Sequence, residues 1–154
     1  MAGKFFRRGI TKVKFLPAIA SALLVPTAPE LTAGTDLTVD LAEVSGWQLT
    51  NSPIPVPSMA DKFTSQIEGE DTVADSSLTF YDRDDAEVIR DVLAKGVVGY
   101  IVIAPYGFTA AKRLQVYYCS STGVNDEFSV GNDAARFMVG FAIKSTPNLD
   151  ATHP

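Results

Sequence analysis

His153 is the one imidazole in the chain and Cys119 the one thiol. A catalytic base needs an orienting partner and a sheltered position. His153 is the penultimate residue and reads as a solvated tail group. With one His and one Cys, none of the usual zinc-ligand spacings can be written. No glycine loop suited to phosphate and no strand-to-helix nucleophile turn occurs. Cys119 ends the apolar run Val116-Tyr117-Tyr118-Cys119 and is expected to be a small buried hydrophobe. A lone cysteine forms no internal disulfide, which fits a reducing cytoplasm. The expectation is a protein without catalytic residues, cofactor or metal.

The carboxylates are the remaining candidates. Ten of the 18 acids fall between Asp61 and Asp91. Asp82, Asp84 and Asp85 outline a calcium loop, but no Gly follows at the sixth position and no Glu at the twelfth. Their expected role is to cap a helix and place negative charge at its N-terminus. Glu68, Glu70, Asp71 and Asp75 could pair as in a glycosidase. They surround a predicted turn with no aromatic sugar platform nearby, so a solvated acidic hairpin is expected.

The basic groups are segregated. Residues 1–14 carry Lys4, Arg7, Arg8, Lys12 and Lys14 and no acid, which leaves eight basic against 18 acidic groups in the rest. A body at −10 excludes a sequence-reading DNA binder, because phosphate contacts require Lys and Arg. With Phe5 and Phe6 interleaved, the arm could touch nucleic acid or anionic lipid. The acidic body offers a closer complement, so Lys4, Arg7 and Arg8 are expected to dock on a neighbouring subunit. The apolar run 15–25 after this arm has the look of a secretory signal. Pro17 interrupts it, Pro26 and Pro29 crowd the cleavage region, and it is too short to span a membrane.

A chain of 154 residues, 46% hydrophobic and 20% charged, has the means for one domain with one core. Val13 and Phe15 alternate with Lys12 and Lys14 in a strand over 11–17 that stops at Pro17. The stretch Pro29–Gly34 holds one helical turn closed by Gly34. Leu37, Val39 and Leu41 alternate with Thr38, Asp40 and Ala42, and Val44, Trp47 and Leu49 continue the strand past a bulge at Gly46. Asn51 to Met59 carries Pro53, Pro55 and Pro57. Missing N–H groups exclude a central strand, so a stiff extended arm with apolar Ile54, Val56 and Met59 is predicted.

Residues 62–69 and 74–82 read as a hairpin turning at Gly69-Glu70-Asp71-Thr72. Asp84 with Glu87 forms a capping pattern before the apolar stripe Val88, Ile89, Val92, Leu93, with Lys95 and Gly96 at the end. Val97–Ala104 is a continuous apolar strand covered on both faces. Residues 112–120 point Leu114, Val116 and Tyr118 inward; 123–133 are polar and turn-rich. Phe137, Val139, Phe141 and Ile143 alternate through 135–144, and 147–154 forms a tail. The fold class predicted is α+β, mainly β: two packed antiparallel sheets, a sandwich or barrel, with one flanking helix over about 84–95.

Read in order, six stretches resemble the major tail tube proteins of long-tailed bacteriophages, the actinobacteriophage type above all. They are Ile10-Thr11-Lys12-Val13-Lys14-Phe15-Leu16-Pro17, Leu31-Thr32-Ala33-Gly34-Thr35-Asp36-Leu37-Thr38 and Val44-Ser45-Gly46-Trp47-Gln48-Leu49-Thr50-Asn51-Ser52-Pro53. Next come Asp75-Ser76-Ser77-Leu78-Thr79-Phe80-Tyr81-Asp82, then Lys95-Gly96-Val97-Val98-Gly99-Tyr100-Ile101-Val102 and Val130-Gly131-Asn132-Asp133-Ala134-Ala135-Arg136-Phe137. The resemblance implies a non-enzymatic virion protein without cofactor. It implies six-subunit rings, stacked into a tube, with inner sheets joined around a channel for DNA and an extended loop reaching the next ring. Partners implied are the protein itself, a tape-measure protein and tail tip or terminator proteins, in the phage tail and, during assembly, the host cytoplasm. DNA transits without specific binding, and no membrane is involved.

On that frame the chain is one tail-tube domain, 1–154, with an N-terminal arm at about 1–10, an inter-ring loop at about 51–61 and a C-terminal tail at about 147–154. Inter-ring contact falls to Asn51, Pro53, Ile54, Pro55, Val56, Pro57 and Met59, since ordering a stiff arm costs little entropy. Glu68, Glu70, Asp71 and Asp75 are expected to face the lumen, where a ring of six at −5 each, −30 in all, repels phosphate. Two other expectations stand beside this one: a capsid decoration or tail-terminator protein, and a secreted carbohydrate-active enzyme with an N-terminal signal.

Overall fold

The computed structural model describes residues 3–4, 6–82 and 88–154, with Val88 by its backbone alone. In chain order the elements are β1 (Lys12–Leu16), α1 (Ala28–Ala33), β2 (Thr35–Asp36), β3 (Leu41–Ser45), β4 (Leu49–Val56) and β5 (Ser65–Val73). They continue with β6 (Ser76–Tyr81), α2 (Val88–Val92), β7 (Val98–Ala104), β8 (Arg113–Glu127), β9 (Arg136–Ile143) and β10 (Asn148–Thr152). Eight strands form one antiparallel sheet in the order β2-β1-β7-β8-β9-β6-β3, with β10 also on β8; β4 and β5 form a separate two-stranded ribbon.

The long strand β8 makes this sheet a sandwich. Its first half pairs with β7 and β10, its second half with β9. The register slips between Ser121 and Gly123, and a bulge there bends the strand. Val13, Phe15, Ile101, Ile103, Tyr117 and Cys119 from one half then pack against Leu78, Phe80, Phe137, Val139 and Phe141 from the other. Leu78, Phe80 and Val139 are fully buried, each stabilising by roughly 1.5–3 kcal/mol. The architecture is mainly β with two antiparallel layers, sandwich-like rather than a closed barrel.

A second core lies on the outer face of the β1-β7-β8-β10 half, where Leu16, Val102, Ala104, Leu114, Val116 and Ala151 meet Ile19 and Leu31. The strand β7 is thus covered on both faces, as its continuous apolar run requires. Thr27 caps α1 and forms a capping box with Glu30. Backbone donation from Thr27 and then Ala20 holds the Glu30 carboxyl below its usual range. The Gly34 amide donates to Leu31 O and ends the turn as predicted, with an extended backbone. A Cβ there would stand 3.0 Å from Leu16 Cδ1 and from Phe15 O.

Several expectations are corrected. Residues 36–50 are not one strand: the chain turns after Asp36, whose Oδ1 accepts from Thr38 N at 2.9 Å, and Val39 is exposed. Gly46 and Trp47, at φ of 82° and 60°, then swing the chain out of the large sheet. The predicted proline arm is strand β4. Its partner β5 runs straight through Gly69–Thr72, and the reversal falls in 57–64. Prolines are tolerated because a two-stranded ribbon has only edge strands, which can point the missing donor outward. Consequently β6 pairs not with 62–69 but with β3 and β9.

Strand β8 extends to Glu127 through residues predicted to turn, and the expected C-terminal tail is β10 with Ala151 buried. Tyr118 is half-buried against Tyr100, ring centroids 5.0 Å apart, while Tyr117 and Cys119 fill the first core. The flanking helix is described over Val88–Val92, and Ile89, Val92 and Leu93 pack on the first core. The proposed caps Asp84 and Glu87, the acid Asp85 and the Val88 side chain lie outside the described residues. Ser121 Oγ donates to Leu93 O at 2.8 Å and fastens the helix end to β8. Arg90 reaches from the helix to Asp82, at 3.0 Å, and to Asp126, with its guanidinium 4.4 Å from the Phe137 ring centroid.

Candidate functional site

The most prominent surface feature is the β4–β5 ribbon, held firmly at its root and bare along its length. At the root Trp47 N donates to Ser76 Oγ at 3.1 Å and Trp47 Nε1 to Ser77 O at 3.0 Å. Tyr117 Oη donates to Trp47 O at 2.6 Å. The indole is buried against Tyr117 and Phe141. A Cβ on Gly46 would fall 2.3 Å from Asp75 O, so glycine is required where the chain leaves the body. Ala74 N donates to Gln48 O at 3.3 Å and carries the ladder across the junction.

Further out, Leu49↔Val73, Thr50↔Thr72, Asn51↔Asp71 and Ser52↔Glu70 are paired, and after a register shift Ile54↔Ile67 and Val56↔Ser65. A strand points successive side chains to opposite faces. Ile54, Val56, Ile67 and Glu70 therefore share one face, and Asn51 and Asp71 the other. Asn51 braces the bulge: its Nδ2 donates to Gly69 O at 3.0 Å and to Asp71 Oδ1, and its Oδ1 accepts from Gly69 N at 3.1 Å. A Cβ on Gly69 would lie 1.9 Å from Ser52 O. Ile54 and Ile67 remain 49% and 57% exposed, and Met59 and Phe63 near the tip project into solvent. An isolated two-stranded ribbon is marginal in water, and a contiguous apolar stripe of this kind marks a contact surface.

The expected inter-ring residues Asn51, Pro53, Ile54, Pro55, Val56, Pro57 and Met59 thus lie together on β4 and at its tip, all exposed. Ile67, which pairs with Ile54, and Phe63 near the tip extend the same exposed apolar surface; the sequence pattern does not point to them, because it puts the reversal at 69–72 and not at 57–64. The four acids expected at the lumen are all exposed but do not form one surface. Glu70 and Asp71 point to opposite faces, Glu68 adjoins the bulge, and Asp75 lies at the root. There it helps line a cavity of about 420 Å³ with Leu49, Phe141, Lys144 and Pro147.

Lys4, Arg7 and Arg8 are exposed. Arg7 and Arg8 border a groove of about 550 Å³ between β1 and β3 that includes Val13, Val44, Trp47 and Ile103. His153 is not a free tail group: its amide donates to Lys112 O at 2.9 Å, and its ring lies 6.2 Å from that of Phe108. Burial pushes the Cys119 thiol up to about 12; it is a core residue, as expected. Among the described residues no group of three or more His, Cys, Asp or Glu is placed to hold a metal ion. None of their helices is long and apolar enough to cross a membrane.

A sandwich whose distinctive feature is an unpartnered apolar ribbon defines a class of structural protein that makes contacts. The whole chain, residues 1–154, matches the model of the phage tail tube protein family. The protein belongs to that family and is a structural component of the phage tail. No curated protein matches it. Among solved structures it is similar to a chain in the cryo-EM structure of the anti-feeding prophage (AFP) baseplate, 6-fold symmetrised. That likeness has 9% identity, a TM-score of 0.61, and covers 94% of this chain and 95% of that one. It is a likeness of fold.

Proposed function

We propose that this protein forms hexameric rings that stack into the tail tube, the conduit for DNA ejection, and that the β4–β5 ribbon joins one ring to the next. The carrying observation is the ribbon itself: bolted at Trp47, apolar along Ile54, Val56 and Ile67, and without a partner on its own chain. Burying that stripe against another copy gains about 25 cal/mol per Å² of apolar surface. Rigid anchorage lowers the entropy lost on docking. The protein acts without catalysis or cofactor. Its partners are copies of itself, a tape-measure protein and tail tip or terminator proteins, in the virion and earlier in the host cytoplasm.

Negative-stain microscopy of the purified chain at high concentration tests this reading. Wild type should form rings and tubes, and I54D/I67D should stay monomeric with an unchanged circular dichroism spectrum. A chain that is monomeric at every concentration would sink the proposal. Among the acids on the ribbon and its root, Glu68, Asp75 and one of Glu70 and Asp71 keep the channel repulsive to phosphate. Because Glu70 and Asp71 point opposite ways, only one of the two lines the channel. Lysine at that position should leave tubes intact and slow DNA delivery, whereas lysine at the other should weaken ring contacts. Full infectivity for E68K, E70K, D71K and D75K alike would refute a lumen role.

A further inference from the structure

We propose that Glu30 is an acid-released latch: its carboxylate holds a strap, residues 17–27, on the outer face of the sandwich, and its protonation lets the strap lift while the two layers stay folded. The strap joins β1 to α1 and contains no strand or helix, so no ladder of backbone bonds fixes it. One side chain pins it at two places. Ala20 N donates to Glu30 Oε2 at 2.7 Å, and Thr27 N and Thr27 Oγ1 donate to Glu30 Oε1 at 2.9 and 3.1 Å. An ionised carboxylate accepts such bonds more strongly than a neutral carboxyl does.

Little else retains the strap. Ile19 and Pro26 are buried and Leu24 half-buried, with Ile19 and Leu24 on the second core, and Asn148 Nδ2 donates to Leu23 O at 3.0 Å. Against these stand Leu24 at φ 56°, a left-handed backbone that a branched side chain resists, and the solvent-facing Leu23 and Val25. Lifting the strap relieves that backbone and uncovers apolar surface of the second core. The first core, between the layers, is untouched.

Glu30 is the only charged residue between 17 and 34. Charges on the elements packed around it are engaged elsewhere. On β1, Lys14 Nζ donates to Leu31 O at 3.2 Å and lies over the Phe108 ring, beyond which stands His153. On β2, Asp36 interacts with Lys14 and Lys12. On β10, Asp150 pairs with Arg113 of β8 at 3.6 Å. The Thr27 and then the Ala20 amide hold the Glu30 carboxyl below its usual range. A carboxyl lowered in this way contributes fully above its ordinary value, and the contribution is lost as pH falls through the folded value.

Hydrogen exchange of the full chain, read on peptides by mass spectrometry and corrected for intrinsic rates, tests the latch. Wild type should lose protection across 18–27 as pH falls below about 5, while β7 and β9 stay protected. E30Q keeps one acceptor oxygen but sets an amide donor against the other backbone N–H. Its strap should exchange about tenfold faster at neutral pH and respond no further to acid. D36N, which removes the carboxylate beside Lys14, should respond as wild type does. An E30Q strap that stays protected at neutral pH, or that opens in acid as wild type does, would overturn the latch. So would a D36N strap indifferent to acid. If E30Q leaves β7 and β9 unprotected and so does not fold, the wild-type titration decides. Loss at 18–27 at a higher pH than in β7 supports the latch, and loss of both at one pH overturns it.

Discussion

Tyr117 ties the smallest scale to the largest. Its hydroxyl donates to the Trp47 carbonyl in the core, so one hydrogen bond braces the departure point of the whole ribbon. Replacing it by Phe leaves a buried carbonyl unpaired and should cost about 1–3 kcal/mol at neutral pH in urea unfolding. Burial pushes this phenol from 10.0 up to about 12, and the Cys119 thiol from 9.0 up to about 12. Both groups bind their protons more tightly in the folded chain. Their contribution is complete below pH 9 and is lost as pH rises toward 12. Thermal melts taken through the alkaline range should show a steep fall in midpoint, shallower in Y117F. A flat profile would mean that neither group stays protonated through burial.

At the scale of elements, the ribbon is a unit separate from the sandwich that carries it. It contributes no fully buried residue, and only Val73, at its base, packs on the first core. Gly69 decides its shape, because any side chain there meets the Ser52 carbonyl and breaks the bulge that Asn51 braces. G69A should therefore leave the unfolding midpoint of the body within about 0.5 kcal/mol of wild type while it abolishes tubes. Comparing urea titration with microscopy on the same sample checks this. Loss of both together would show that ribbon and body fold as one.

At the scale of the whole molecule, the chain invests 25 residues, 49–73, in an appendage of which only Val73 packs on the core of its own copy. An Asn-Gly turn joining Leu49 directly to Val73 should close the gap, since these two are already paired and that dipeptide suits a two-residue hairpin. The shortened chain should fold, melt within about 5 °C of wild type, and remain monomeric by sedimentation at concentrations where wild type polymerises. Retained polymer would place the assembly contacts elsewhere.

Alternation over 11–17 and 135–144 puts Val13 with Phe15, and Phe137, Val139 and Phe141 with Ile143, on one side of each strand; all are buried core except the partly buried Ile143, and a nearly continuous apolar run marks β7 as covered on both faces. The stripe of Ile89, Val92 and Leu93 marks a helix that packs on the core. Local periodicity sets which face of an element turns inward, so these features were legible from the chain alone. Periodicity does not name a neighbour. Ser65–Thr72 has Ile67 as its one large apolar residue and shows no alternation, so the turn-like composition of Gly69–Thr72 suggests a reversal where the folded chain continues as a strand. The last strand, β10, had no pattern of its own until β8 supplied an edge. Pairing, and with it the free ribbon and the groove beside β3, was decided only by tertiary structure, because the backbone bonds that hold strands together are the same for every side chain.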